Sequence, residues 1–316
     1  MQFEPTASSR VRRTASPVRR SLALVAAVGF ALTAALPVSA ATVDRIRESG
    51  HIKLGYIADA RPFSYRSGAG APEGYAVALC QRVADQMKAQ LALPQLTVDW
   101  VPVTLDNRFS EIKQGNVDLL CTPTIVTLTR RQEVAFSIPI FAGGNRAVIR
   151  ADAPVALRDA LGETPPAHPV WRGSPAAKVL EGTTFAVVAG TTTQPWLESR
   201  RAAFEVNARI VPVPDYRAGL QQLLHSQVDV FFGERSLVLG ALDAEERANL
   251  VVFDRLFTQE SGALALARDD DDFRLLVDRA LSQLYAANDF SALYTQWLGP
   301  FDASTRAFFQ SNTLAQ

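Results

Sequence analysis

The chain has 316 residues, with 32 basic and 32 acidic side chains. That balance leaves no basic stripe of the kind that binds nucleic acid or an anionic membrane surface. A length near 300 usually divides into two compact units.

Arg10, Arg12, Arg13, Arg19 and Arg20 face one acid, Glu4, ahead of an uncharged run from Ser21 to Val38 that ends in Val38-Ser39-Ala40. A basic start, an apolar middle and a small-residue end predict a secretory signal over residues 1–40. An uncleaved anchor is the alternative, and Arg19-Arg20 leaves a twin-arginine route open. Cleavage removes five basic side chains and one acidic one, so the mature chain carries a net charge near −4. No later stretch is apolar for long enough to span a bilayer. Cys80 and Cys121 are the only cysteines, and in an oxidising compartment they predict one disulfide. His51, His168 and His225 are scattered without ligand spacing, so no metal and no cofactor is expected.

In chain order, short apolar runs alternate with amphipathic ones, the pattern of an α/β fold with parallel sheets covered by helices. Ile52–Ile57 predicts a strand broken by Arg61-Pro62. Gly74 precedes a helix from Tyr75 to about Leu91, whose Val77, Cys80, Val83 and Met87 share one face. Thr97–Val101 predicts a strand, Arg108–Gln114 a short helix stopped by Gly115, and Val117–Cys121 a buried strand. Pro139, Gly143 and Gly144 punctuate a crossing, and Arg146–Arg150 opens a new unit. Residues 152–182, rich in Pro, Gly and charge, predict a long surface connection. Strands then follow at Phe185–Val188, Ile210–Val213, Val228–Phe232, Leu250–Phe253 and Gly262–Ala267. Helices are predicted at Pro195–Phe204, Tyr216–His225 and Phe273–Ala287, the last led by Asp269–Asp272, acids that suit a helix start.

Several of these segments together carry a resemblance. They are Pro62-Phe63-Ser64-Tyr65, Gly74-Tyr75, Val103-Thr104 to Asn107-Arg108-Phe109, Gly115 to Asp118, Arg130-Arg131-Gln132 and Ala135-Phe136-Ser137. In this order and spacing the sequence resembles the family-3 extracellular solute-binding proteins of ABC importers, most closely their glutamate/aspartate-binding branch. The resemblance runs from about Ile46 to Trp297. It implies a type II periplasmic-binding-protein-like fold, with each lobe a mostly parallel sheet flanked by helices and two crossing hinge strands. Residues 41–143 and 261–300 would form lobe one, 144–260 lobe two and 301–316 a C-terminal tail. It also implies a periplasmic, monomeric, non-enzymatic protein that takes a small carboxylate-bearing solute and meets a membrane permease.

Arg130 matches the family's ligand-carboxylate arginine, and a planar fork that stays charged suits a carboxylate in a desolvated cleft. Arg108 matches the arginine that meets a side-chain carboxylate in the acidic branch. Gly190-Thr191-Thr192-Thr193 opens a helix, and amides with hydroxyls there form an anion site; Thr191 and Thr192 are the expected contacts. Glu234 stands where the family places an acid for the ligand's ammonium, and could instead cap the next helix or pair with Arg235. Among the family's hydroxyl residues before Arg130 only Thr124 is kept; Pro123 and Ile125 replace the others. Ile57 stands where the branch has an arginine, and Tyr216 where it has a histidine. Phe63 and Tyr65 could wall the cleft or fill the core. Two other readings share the fold: an exported dehydratase of a ring carboxylate, and a ligand-sensing partner of a receptor.

Overall fold

The computed structural model describes residues 42–162 and 175–315. The signal reading over residues 1–40 therefore lies outside the described residues. Two five-stranded sheets organise the chain. In the first, the order is Thr97–Val103, His51–Ile57, Leu119–Ile125, Glu260–Leu266, Ala135–Gly143. In the second it is Arg209–Val213, Thr184–Val188, Val230–Glu234, Asn145–Arg150, Leu250–Val252. The expected parallel character holds for three strands of each sheet, and the remainder is antiparallel. The reason is the crossing itself. Ala135–Gly143 leaves the first sheet, the chain passes Gly144, and Asn145–Arg150 enters the second. The return comes through Glu260–Leu266, which inserts between Leu119–Ile125 and Ala135–Gly143.

The helix Tyr75–Gln90 shows how the first lobe is locked. Gly74 has φ +125°, and a Cβ there would meet the Phe63 carbonyl oxygen at 2.5 Å, so only glycine fits. The freed space lets Tyr75 and Ala76 donate their N–H groups to the carbonyls of Pro62 and Phe63, both at 2.9 Å. The predicted stripe of Val77, Cys80, Val83 and Met87 is buried against the sheet. Phe63 and Tyr65 are core residues, with Phe63 in edge-on contact with Phe141 at 4.7 Å.

Three expectations change. The strand predicted at Val117–Cys121 runs instead over Leu119–Ile125, and continues through Pro123. Proline is rare in a central strand because it cannot donate to the ladder. Here Gly262 of the neighbouring strand, paired with Ile125, leaves room for the ring, since a Cβ on it would meet Pro123 at 2.8 Å; the pairing shifts register between Ala263 and Ala265, and a bulge absorbs the proline. Residues 152–182 are not a bare connection: helices Val155–Leu161 and Pro175–Leu180 bury Leu157, Leu161 and Ala177 in the second lobe's core. Residues 301–316, read as a tail, include the helix Ala303–Asn312, capped by Asp302. Its Phe309 packs on Phe290 at 4.7 Å within the first lobe's core. At Asp269–Asp272 the acids do what a helix start favours: Asp270 accepts from the Phe273 N–H.

Among the described residues no helix is long and apolar enough to cross a membrane, and no three His, Cys, Asp or Glu side chains group as a metal site.

Cys80 on the helix stripe and Cys121 on the central strand form a disulfide, with Cα atoms 5.9 Å apart and both residues fully buried. The bridge closes a loop with a sequence separation of 41, for which the chain-entropy account gives roughly 3–4 kcal/mol of stabilisation. Thiol titration of the denatured, unreduced protein should find no free thiol. Replacing both cysteines with alanine should lower the unfolding free energy by a similar amount in urea titrations.

Candidate functional site

The ends of both sheets face a cleft of about 510 Å³. Ile57, Arg108, Thr124, Arg130, Thr191, Thr192, Tyr216 and Glu234 all line it. The structure therefore brings every ligand-site residue named from the sequence to one place.

On the first lobe, Thr127 caps the short helix Leu128–Arg131 by accepting from the Arg130 N–H at 3.1 Å. That turn aims the Arg130 side chain inward. One guanidinium nitrogen donates to the Ile125 carbonyl at 2.9 Å, and another to the Gly190 carbonyl at 3.3 Å. Arg108 opens the helix Arg108–Lys113. The turn before it is tied by Asn107 accepting from the Thr104 N–H at 2.8 Å. Arg108 is only 5% exposed, and it too donates to the Gly190 carbonyl, at 3.3 Å. Both guanidiniums lie over Phe109, at 4.4 Å for Arg108 and 5.8 Å for Arg130. Burial, and then the charge of Arg130, push the Arg108 guanidinium down to about 10, while Asp106 and Glu133 oppose the fall. Burial also lowers Arg130, against the pull of Glu260 and Glu133.

On the second lobe, Gly190 takes φ +71°, a left-handed conformation that favours glycine, and the turn leads into the helix Thr193–Ala203. The Thr191 hydroxyl donates to the Val188 carbonyl at 2.7 Å, and that of Thr192 to Glu260 at 2.9 Å. Each hydroxyl proton is thus used within the chain, and toward a ligand these oxygens are left as acceptors.

Glu234 does cap the next helix: Oε2 accepts from the Ser236 and Leu237 N–H groups at 2.7 and 3.0 Å. Oε1 is held only loosely, by the Ser236 hydroxyl at 3.4 Å. The alternative pairing with Arg235 does not form, since Arg235 bonds Asp254 at 2.9 Å. Burial pushes the Glu234 carboxyl up to about 7, despite the two capping amides and the charge of Arg146. Tyr216 accepts from the Glu234 N–H at 3.3 Å, and burial raises its phenol. Ile57 is buried, its N–H and carbonyl both bonded to the Ser64 hydroxyl at 2.9 Å. Thr124 is buried and bonds the Thr122 carbonyl at 3.4 Å.

Asp59, Asn145, Asp215 and Glu260 also line the cleft, and sequence reasoning missed them. Asn145 accepts from the Thr193 hydroxyl at 2.7 Å and donates to Thr258 at 3.1 Å. Its place just after Gly143-Gly144 was a signal that could have been read.

Residues 52–300 match the bacterial extracellular solute-binding proteins, family 3. The chain belongs to that family. The L-glutamate/L-aspartate-binding protein of Pseudomonas aeruginosa is 27% identical, over 89% of this chain and 87% of its own. The glutamate/aspartate import solute-binding protein of Escherichia coli is 24% identical over the same shares. Among solved structures, an ABC uptake transporter substrate-binding protein from Streptococcus pneumoniae with bound histidine superposes with a TM-score of 0.65 at 20% identity. It covers 83% of this chain and 97% of that one. That likeness fixes the type II fold.

In this family-3 protein the lobes touch at a second point beyond the arginines. Gly240 ends the helix Arg235–Gly240 on the second lobe, and a Cβ there would overlap the carbonyl oxygen of Arg61 on the first. Gly240→Val should leave each lobe folded and hold the two apart. Small-angle scattering should show a larger radius of gyration than wild type, and ligand affinity should fall by roughly tenfold, the scale of an overpacked contact.

Proposed function

We propose that this protein is the periplasmic substrate-binding component of an ABC amino-acid importer. It works as a monomer that closes two lobes around a polar or acidic amino acid and presents it to a membrane permease. In this reading residues 41–143 and 261–300 form lobe one and residues 144–260 lobe two, with Glu260 itself already on a strand of the first sheet and the helix Ala303–Asn312 packed on lobe one. The observation that carries the reading is the convergence of Arg108 and Arg130 on one oxygen across the cleft. The Gly190 carbonyl, at 3.3 Å from both guanidiniums, stands where a ligand carboxylate oxygen would compete. The names of the two curated relatives point to the same ligand class.

In this reading Arg130 and the backbone N–H groups of the turn Gly190-Thr191-Thr192 hold the α-carboxylate, and Arg108 meets the polar or acidic remainder of the ligand. Glu234 Oε1 takes the ammonium, with Tyr216 behind it. Ile57 and Thr124 shape the wall on lobe one. Closing a hinge around the ligand excludes water and strengthens each of these pairs. Arg130→Ala should keep the fold and cost about 2–5 kcal/mol of affinity, because the buried carboxylate loses its charged partner. Calorimetry with glutamate and glutamine measures this, and unchanged affinity would remove Arg130 from the anchor role.

Glu234 adds a pH dependence whose sign follows from its raised carboxyl. In the empty cleft the group is protonated below about pH 7, and a protonated carboxyl does not attract an ammonium. Affinity should therefore be flat above that pH and fall as pH drops below it, approaching roughly tenfold per unit. Glu234→Gln should weaken binding at pH 8 and flatten the profile.

The same carboxyl supports a second reading. A group that changes charge near neutrality inside a cleft suits proton transfer, as an exported dehydratase would need. Incubation with candidate ligands decides between the two: an importer component returns its ligand unchanged, and an enzyme consumes it.

A further inference from the structure

Glu260 is the first residue of the returning strand and pairs there with Gly143 of the outgoing one. It stands at the hinge and its side chain lines the cleft. Its carboxylate accepts the Thr192 hydroxyl of the second lobe at 2.9 Å, and its charge acts on Arg130. Burial pushes its carboxyl up, while Thr192 and Arg130 draw it down. A tether to Thr192 needs an acceptor, but it does not need a charge.

The charge has a consequence for the ligand. Arg108 and Arg130 supply two buried cations, and Glu260 sets one anion among them. Asp106 and Glu133 also pull on the pair, but both are exposed and solvent screens their charge, so Glu260 is the anion that counts against the two cations. A ligand with one carboxylate brings the anions facing the arginine pair level with the cations. A second ligand carboxylate exceeds them, and excess charge in a desolvated site is expensive.

We propose that Glu260 is a specificity-determining residue: a built-in carboxylate that occupies part of the arginine pair and turns the cleft toward amino acids with one carboxylate and a neutral polar end, over dicarboxylates. The inference rests on the amino-acid reading given above.

Glu260→Gln keeps the volume and an acceptor for Thr192 and removes only the charge. Calorimetry with two acid and amide pairs, glutamate with glutamine and aspartate with asparagine, reads the effect. Wild type should bind the amide of each pair more tightly than the acid. Glu260→Gln should shift the ratio toward the acid by roughly tenfold or more, the effect of about one unit of charge interaction on this scale. If both members bind and the ratio does not move, Glu260 has no such role. Wild type binding the acid as tightly as the amide overturns the proposal even where the variant fails to fold. If wild type binds neither member of either pair, the amino-acid reading falls, and the role of Glu260 with it.

Discussion

Two guanidinium groups held in one desolvated cleft repel each other, and the rest of this molecule is arranged around that repulsion. Arg108 is almost fully buried and is depressed by the neighbouring charge of Arg130. Neither charge can be discarded, since arginine stays protonated at neutral pH even when lowered. Neutral groups carry part of the load, the carbonyls of Ile125 and Gly190 as acceptors and the ring face of Phe109, while Glu260 pulls on Arg130 through its charge. Neutral acceptors do not cancel charge. A cleft built this way gains most when an anion enters, and that gain is available to drive closure.

Closure needs the anion to couple to the hinge, and the second lobe supplies the link. The turn Gly190–Thr193 is tied to both crossing segments. Thr193 bonds Asn145, the first residue past Gly143-Gly144, and Thr192 bonds Glu260, the first residue of the return strand. Thr258 completes the link by accepting from Asn145 through both the backbone N–H and the side-chain amide, at 2.9 and 3.1 Å. Satisfied buried polar networks of this kind specify one geometry. An anion that pulls on the turn therefore pulls on the two strands about which the lobes rotate.

Much of this was legible in the sequence, for identifiable reasons. The helix Tyr75–Gln90 declares itself through period and through the glycine before it, and its buried stripe with Cys80 places the disulfide. The eight side chains that meet in the cleft lie at the ends of strands or the starts of helices, positions that turn chemistry marks. Glu260 also stands at a strand end, but no turn residue beside it announces that position. It lies between two exposed-looking polar residues, and only the insertion of its strand between two others brings it to the arginines. The helix Ala303–Asn312 was missed because its aromatic residues, Phe308 and Phe309, find their partners in a core assembled from distant segments. Long-range pairing is the information that local periodicity does not hold.

The departures from the acidic branch are themselves coupled. Pro123 lies in the central strand, where it cannot donate to the ladder, and it is accommodated by Gly262 on the neighbouring strand, where a Cβ would meet it at 2.8 Å, and by a register shift beside it. A change at Pro123 alone would leave a strand still bent to suit proline. Ile57, Pro123 and Ile125 are apolar side chains lining the cleft, as are Phe63 and Phe141. Thr104, Thr122 and Thr124 keep hydroxyls on this wall, and its charged donors are Arg108 and Arg130. Charge recognition on this wall therefore falls to two adjacent guanidiniums that reach one carbonyl oxygen, set beside side chains that offer apolar contact.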